Sequence, residues 1–213
     1  MLNKIKVTLI KGIRFPLDHI PYLRPVLSRL MPESMVLDFT NKLMSGRPDR
    51  VYLENTILKY LANKSDYKIL FIGSRSYTQH YGLLFNDDSS EYWTTDIDPD
   101  CVKWGEPGRH VVCDVTEIDR HFDAQTFDVV VMNGLFSFGV DTPDDKEATG
   151  VAVHRILKRG GTLIVGWGPN PPNQDPNDVQ SIRTLFTPGT SLQLEDEIVI
   201  KGPNHVFSCY TAI

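Results

Sequence analysis

The chain has 213 residues, 41% of them apolar and 23% charged, and a net charge of −5. That is the composition of an ordinary globular protein, long enough for one well-cored domain with an appendage and too short for two independent domains. Three cysteines without paired spacing argue against a disulfide framework, no apolar run reaches membrane-span length, and the first residues lack a signal-peptide core. The expected location is cytoplasmic.

The charge is unevenly placed. Residues 1–30 hold six basic groups against Asp18 alone, which leaves 16 basic and 26 acidic residues for the remainder. An acidic body argues against nucleic-acid partners, which need clustered Lys and Arg. The basic arm also carries Ile5, Val7, Leu9, Ile10, Ile13 and Phe15. It either packs its apolar side on the domain with its lysines solvated, or lies peripherally on an anionic membrane surface or a lipid-linked substrate.

Prolines 16, 21, 25 and 32 limit residues 1–46 to short helices, Tyr22 to Leu30 and Ser34 to Met44. This stretch reads as a helical, basic N-terminal extension, and residues 47–213 as the main domain. Pro48 suits a first helical position, and Val51, Leu53, Ile57, Leu58 and Leu61 give one apolar face to a helix reaching Ala62. Five short apolar runs follow: Ile69–Ile72, Tyr92–Asp96, His110–Asp114, Phe127–Asn133 and Gly160–Gly166. Runs this short, bounded by turn residues and rich in Val and Ile, are strands buried on both faces.

Short helices are expected through Thr78 to Leu84 and near Pro99 to Trp104. Thr142-Pro143-Asp-Asp145 has a cap, a first-position proline and acids for the helix dipole, so it starts a helix that ends with Lys158-Arg159-Gly160. Pro169 to Asn177 is a polar, proline-rich loop, read as a lid or substrate loop. Ser191 to Ile200 and His205 to Ile213 read as a closing strand pair joined by Lys201 to Asn204. The sum is an α/β fold: a doubly wound, mostly parallel seven-stranded sheet with helices on both faces and an antiparallel C-terminal strand pair. Polar residues at the carboxyl ends of such strands converge on one edge, where these folds bind ligands.

Asp96 closes the second strand in Thr-Asp-Ile-Asp-Pro99, 23 residues past Gly73, and Asp114 follows the third in Val-Cys-Asp-Val115. Phe127-Asp128 opens the fourth, and Leu157-Lys-Arg-Gly-Gly161 precedes the fifth. In this order the motifs from Val51 to Ile213 resemble those of the class I S-adenosylmethionine-dependent methyltransferases. The resemblance implies that Gly73, Ser74, Arg75 and Tyr77 wrap the methionine part of S-adenosylmethionine. It implies that Asp96 and Ile97 hold the ribose, that Asp114 and Val115 meet the adenine, and that Asn133 and Gly134 border the methyl group. Asp98 competes with Asp96 for the ribose role, and Asp114 is equally suited to cap its own loop.

The first turn departs from the family's acid-x-Gly-x-Gly-x-Gly pattern, reading Phe71-Ile-Gly73-Ser-Arg75-Ser-Tyr77. Arg75 pairs either with the cofactor's carboxylate or with a surface acid; Tyr77 either lines the cleft or packs under the helix. Dinucleotide binding requires a Gly-x-Gly-x-x-Gly turn that is absent, and there is no phosphate loop. Cys101, His110, Cys113 and His121 match no paired-ligand spacing, so no metal is expected.

Methyl transfer at a sulfonium demands alignment, and a base where the acceptor's pKa is high. His80, Asp141 and His205 are the catalytic candidates, with His154 read as structural and Phe136, Phe138, Trp167 and Asn170 on the acceptor side. The expected activity is methylation of a small-molecule or glycan hydroxyl; the alternative is a catalytically silent binding or scaffold protein. A nucleic-acid methyltransferase is disfavoured, because Asn133-Gly-Leu-Phe136 is not the Asn/Asp-Pro-Pro-Tyr/Phe signature of base-amine methylation.

Overall fold

Eight strands make one sheet in a computed structural model that describes residues 32–85, 89–136, 138–170, 175–202 and 204–213. The basic arm and the helix expected at Tyr22 to Leu30 lie outside the described residues, as do residues 171–174 of the proline-rich loop. The chain falls into two compact units, residues 1–43 and 44–213. In the first, helix α1 (Glu33–Ser45) begins, with Thr40 Oγ1 donating to Val36 O at 2.7 Å.

The second unit holds the sheet. Its strands are β1 (Lys68–Ile72), β2 (Glu91–Asp96), β3 (His110–Val112), β4 (Phe127–Asn133), β5 (Leu157–Trp167), β6 (Phe186–Pro188), β7 (Glu197–Ile200) and β8 (His205–Ala212). The order is β3-β2-β1-β4-β5-β8-β6, with β7 also on β8. Strands β1 to β5 run parallel, whereas β8 is antiparallel to β5, β6 and β7. One strand more than the seven expected is present: β6 pairs with the end of β8, and β7, within the expected Ser191 to Ile200 run, with its beginning. Only Glu197–Ile200 of the predicted Ser191 to Ile200 run is extended, because Ser191 to Leu194 form bends.

Alternation along the strands sorts the core into two layers. Leu70, Ile72, Val130, Met132, Leu163 and Val165 face one way, against Ala152, Val153 and Ile156 of helix α4 (Pro143–Ile156) and against Ile182. Ile69, Phe71, Val129, Val131, Ile164 and Phe207 face the other way, against Leu53, Ile57, Leu58 and Leu61. Those four lie on one helical segment made of α2 (Pro48–Tyr52), a π-helical stretch Leu53–Leu58 and α3 (Lys59–Ala62). Val51, expected on the same face, is exposed. It sits two residues before Leu53, about 200° around the axis.

Helix α4 begins as expected, with Thr142 Oγ1 accepting from Asp145 N and Asp145 Oδ2 from Thr142 N, a complete capping box. It ends earlier than expected: Leu157 is already extended, and Lys158-Arg159-Gly160 belong to β5. The register against β4 shifts there, so these residues form an irregular strand entry. Two expected short helices are 3-10 segments, Gln79–Phe85 and Pro99–Trp104. Strand β3 stops at Val112, and Asp114 instead caps a 3-10 segment, Val115–Arg120.

Candidate active site

The carboxyl ends of β1, β2 and β4 carry the first half of the site. Chain exit from β1 requires Gly73 at φ +98°, a conformation costly for any side-chain-bearing residue. Gly73 N donates to Thr95 O at 2.8 Å, which carries the turn across the end of β2. Thr78 closes the turn, its hydroxyl accepting from Arg75 N and donating to Arg75 O, both at 2.9 Å.

The consequence is an ion pair between a half-exposed arginine and a buried carboxylate. Arg75 Nη1 reaches Asp96 Oδ2 at 2.5 Å, and also faces Ser74 O and Cys101 Sγ, each at 2.8 Å. Burial works against the guanidinium's charge, but the Asp96 hydrogen bond and charge outweigh it and raise the Arg75 pKa. Asp96 Oδ1 accepts from Asp98 N at 2.9 Å. The partner of Arg75 is therefore not a surface acid but the carboxylate expected to hold the ribose. The parallel pairing of β1 with β2 brings the two together from 21 residues apart.

Two apolar side chains flank this carboxylate, Ile97 at 61% exposure and Val112, the register partner of Asp96, at 38%. Asp98 is engaged in capping its own segment through Asp100 N. Asp114 is exposed and accepts from Thr116 N and Thr116 Oγ1 through Oδ1. Val115 places its side chain in the core rather than toward the rim.

The second half of the site lies where β4, β5 and β8 meet. Asn133 Oδ1 faces His205 Nε2 at 2.9 Å, so the imidazole carries its proton on Nε2 and donates. Gly166 makes this possible: a Cβ there would sit 2.1 Å from Asn133 Oδ1 and 2.8 Å from Phe207 Cε1. Burial pushes the His205 pKa down to about 4, with Asp49 opposing and Arg50 and Arg47 adding to the fall. The ring is neutral at pH 7.

Three residues around His205 come from the start of α2. Arg47 Nε donates to Asp49 Oδ1 at 3.0 Å. Arg50 Nε is 3.8 Å from Asp49 Oδ2, an ion-pair distance too long for a hydrogen bond, and this buried N–H has no acceptor. The Arg50 guanidinium lies 5.3 Å from the centroid of the Tyr77 ring, a cation–π contact, and Tyr77 is half-buried. One π-helical turn on, Glu54 Oε2 meets His80 Nε2 at 2.9 Å.

Asp49, Arg50 and Glu54 were not legible as site residues; the helix reads as cover for the sheet. The signal was the charged start Arg47-Pro-Asp-Arg50 on an otherwise apolar helix, with Glu54 on the same side as Arg50. Of the other candidates, Asp141 is exposed and accepts only from its own loop, from Gly139 N at 3.4 Å. Phe136 is buried and Phe138 exposed, so they do not act as a pair. Trp167 donates from Nε1 to Ser208 Oγ at 3.0 Å, Asn170 accepts from Asn204 Nδ2 at 3.1 Å, and His154 meets Ile213 O at 3.2 Å.

Residues 72–165, which run from the end of β1 through β5 and include Asp96, Asp114 and Asn133, match the family described as a methyltransferase domain. The sheet order and fold are similar to those of S-adenosylmethionine-dependent methyltransferases of known structure. Its fold is similar to that of a TehB-like S-adenosylmethionine-dependent methyltransferase from Corynebacterium glutamicum, at 18% identity and a TM-score of 0.58, over 85% of this chain and 97% of that one. It is similar also to the N-methyltransferase NodS from Bradyrhizobium japonicum in complex with S-adenosylhomocysteine, at 10% identity and a TM-score of 0.60, over 79% and 90%. A third is the 1,6-didemethyltoxoflavin N1-methyltransferase of Burkholderia thailandensis, at 17% identity and a TM-score of 0.58, over 94% and 92%. No curated protein matches the chain. No helix among the described residues is long and apolar enough to cross a membrane.

Proposed function

We propose that this protein methylates a hydroxyl group of a small molecule or glycan, with the cofactor across the carboxyl ends of β1, β2 and β4 and His80 as the base. The observation that carries the cofactor placement is a set of buried donors without partners: Ser74 Oγ, Asn133 Nδ2 and Arg50 Nε. Buried polar groups are almost always satisfied, so a cluster of orphans at one sheet edge marks where a polar ligand belongs. Ile72 and Met132 are register partners, so Asn133 leaves the sheet beside Gly73, with Ser74 next in the chain. These donors suit the amino-acid part of S-adenosylmethionine, and Arg50 suits its carboxylate. Asp96 suits the ribose, Ile97 and Val112 suit the faces of an adenine, and the free oxygen of Asp114 suits its amine.

Bound S-adenosylmethionine supplies an electrophilic methyl group on a sulfonium. A hydroxyl acceptor must lose its proton as it attacks, whereas a neutral amine need not. His80, held by Glu54 through Nε2 and 40% exposed in its side chain, is placed to act as the base through its other ring nitrogen. His205 serves by position: it donates to Asn133 Oδ1 and so turns the amide Nδ2 toward the cofactor. Asp141 has no partner beyond its own loop, which leaves it the weakest of the three candidates.

Two measurements test this reading. Calorimetric titration with S-adenosylhomocysteine is expected to give micromolar binding, and no heat at millimolar ligand rejects the cofactor placement. Transfer of labelled methyl groups to a panel of hydroxyl and amine acceptors is expected to favour hydroxyls, with His80→Gln lowering turnover about 100-fold. Transfer to amines alone, as in the N-methyltransferases of similar fold, rejects the hydroxyl assignment.

A further inference from the structure

We propose that Arg75 competes with the ribose for Asp96, so that binding of any nucleoside in this site is an exchange in which the guanidinium leaves the carboxylate. The inference rests on the reading of Asp96 as the ribose-holding acid. Side-chain exposure of the two partners is 3% for Asp96 and 40% for Arg75. A carboxylate that buried is costly without a cation or donors, while a half-exposed arginine can withdraw into water. The pair is therefore asymmetric: one member is fixed and the other is free to go.

Arg75 takes up acceptor capacity that a diol needs. Asp98 N holds Oδ1 and Arg75 Nη1 holds Oδ2. Nη1 has two hydrogens yet faces three acceptors, Asp96 Oδ2, Ser74 O and Cys101 Sγ, so it is wedged into the angle between the turn and β2. Its side chain also starts from a turn position where the related turns carry glycine, so bulk stands where a close approach of ligand and backbone is normally left open. Binding then replaces one charge-assisted pair with two hydroxyl hydrogen bonds, and only the difference reaches the measured affinity. Cofactor and demethylated product share the same ribose and are weakened alike, which favours product release.

Calorimetry with two probes, S-adenosylhomocysteine and adenosine, on the full chain and on Arg75→Met and Arg75→Lys separates the possibilities. The expected result is that Arg75→Met tightens both probes by a similar factor, about 10-fold. Arg75→Lys, which keeps the charge but loses the planar fork, is expected to fall between that variant and the parent. If Arg75→Met does not fold, the lysine variant carries the test alone, with tighter binding of both probes as the expected result. Unchanged or weaker adenosine binding overturns the proposal. Weaker S-adenosylhomocysteine binding with adenosine unchanged also overturns it, since Arg75 would then hold the amino-acid carboxylate. If the parent and both variants bind neither probe at millimolar concentration, the cofactor placement itself falls and this proposal with it.

Discussion

The two ends of the sheet handle charge differently. At the amino end, Asp128 at the start of β4 accepts from Lys158 Nζ on both oxygens at 2.8 Å and from Lys68 N at 2.9 Å, and none of the three groups is left unsatisfied. At the carboxyl end, Asp96 is also paired, but Ser74 Oγ beside its partner Arg75 and Asn133 Nδ2 at the end of β4 have no partners, and His205 is held neutral by burial. One acid–base pair joins strands and is complete. The other lies at the sheet edge that also carries unmet donors, where we propose that the cofactor binds.

The largest expected effect separates the two carboxylates directly. Asp96→Asn should weaken S-adenosylhomocysteine binding about 100-fold by calorimetry, while Asp128→Asn should leave it within about two-fold and instead lower unfolding stability by about 1–3 kcal/mol in urea. Equal losses of affinity in both would erase the distinction.

The pH dependence of stability comes next. His205 has its folded pKa lowered to about 4 from an ordinary 6.5. Its neutral form is what the fold accommodates, so stability is full above pH 6.5 and is lost as the pH falls from there toward 4, by about 2–3 kcal/mol. Urea midpoints of the parent measured across that window should fall with acid, and those of His205→Gln should fall less. Identical pH profiles would mean that the ring is not buried as a neutral group.

Gly166→Ala tests the packing that places Asn133. A Cβ only 2.1 Å from Asn133 Oδ1 must displace the amide, with an expected loss of about 1–3 kcal/mol and a fall in turnover. Retained stability with lowered activity would sharpen the assignment of Asn133 to the cofactor. Smallest is Thr142→Ala, far from either carboxylate, which should cost about 1 kcal/mol through the lost cap and leave turnover unchanged.

Much of the framework was readable along the chain because its signals are local. Strand β4 carries its boundaries in Phe127 and Asn133, and the start of α4 is declared by Thr142, Pro143 and Asp145 within four residues. The ends were harder. Leu157 to Gly160 look like a helix terminus by composition, yet pairing with β4 draws them into β5. The division of the last edge into β6 and β7 depends on which parts of β8 each reaches.

For the site, local order supplied the carboxylates but not their partners. Residue order and short apolar runs were enough to determine a mostly parallel sheet and the acid that closes β2, because backbone hydrogen bonding and burial act on neighbouring residues. Tertiary structure alone decided that Arg75 would cover Asp96 and that His205 would meet Asn133 from 72 positions away. It also brought a guanidinium from α2 to within 5.3 Å of the Tyr77 ring centroid. The physical reason is reach: a charged side chain pairs with whatever the packing of strands and helices brings within a few ångströms, and separation along the chain carries no record of that distance.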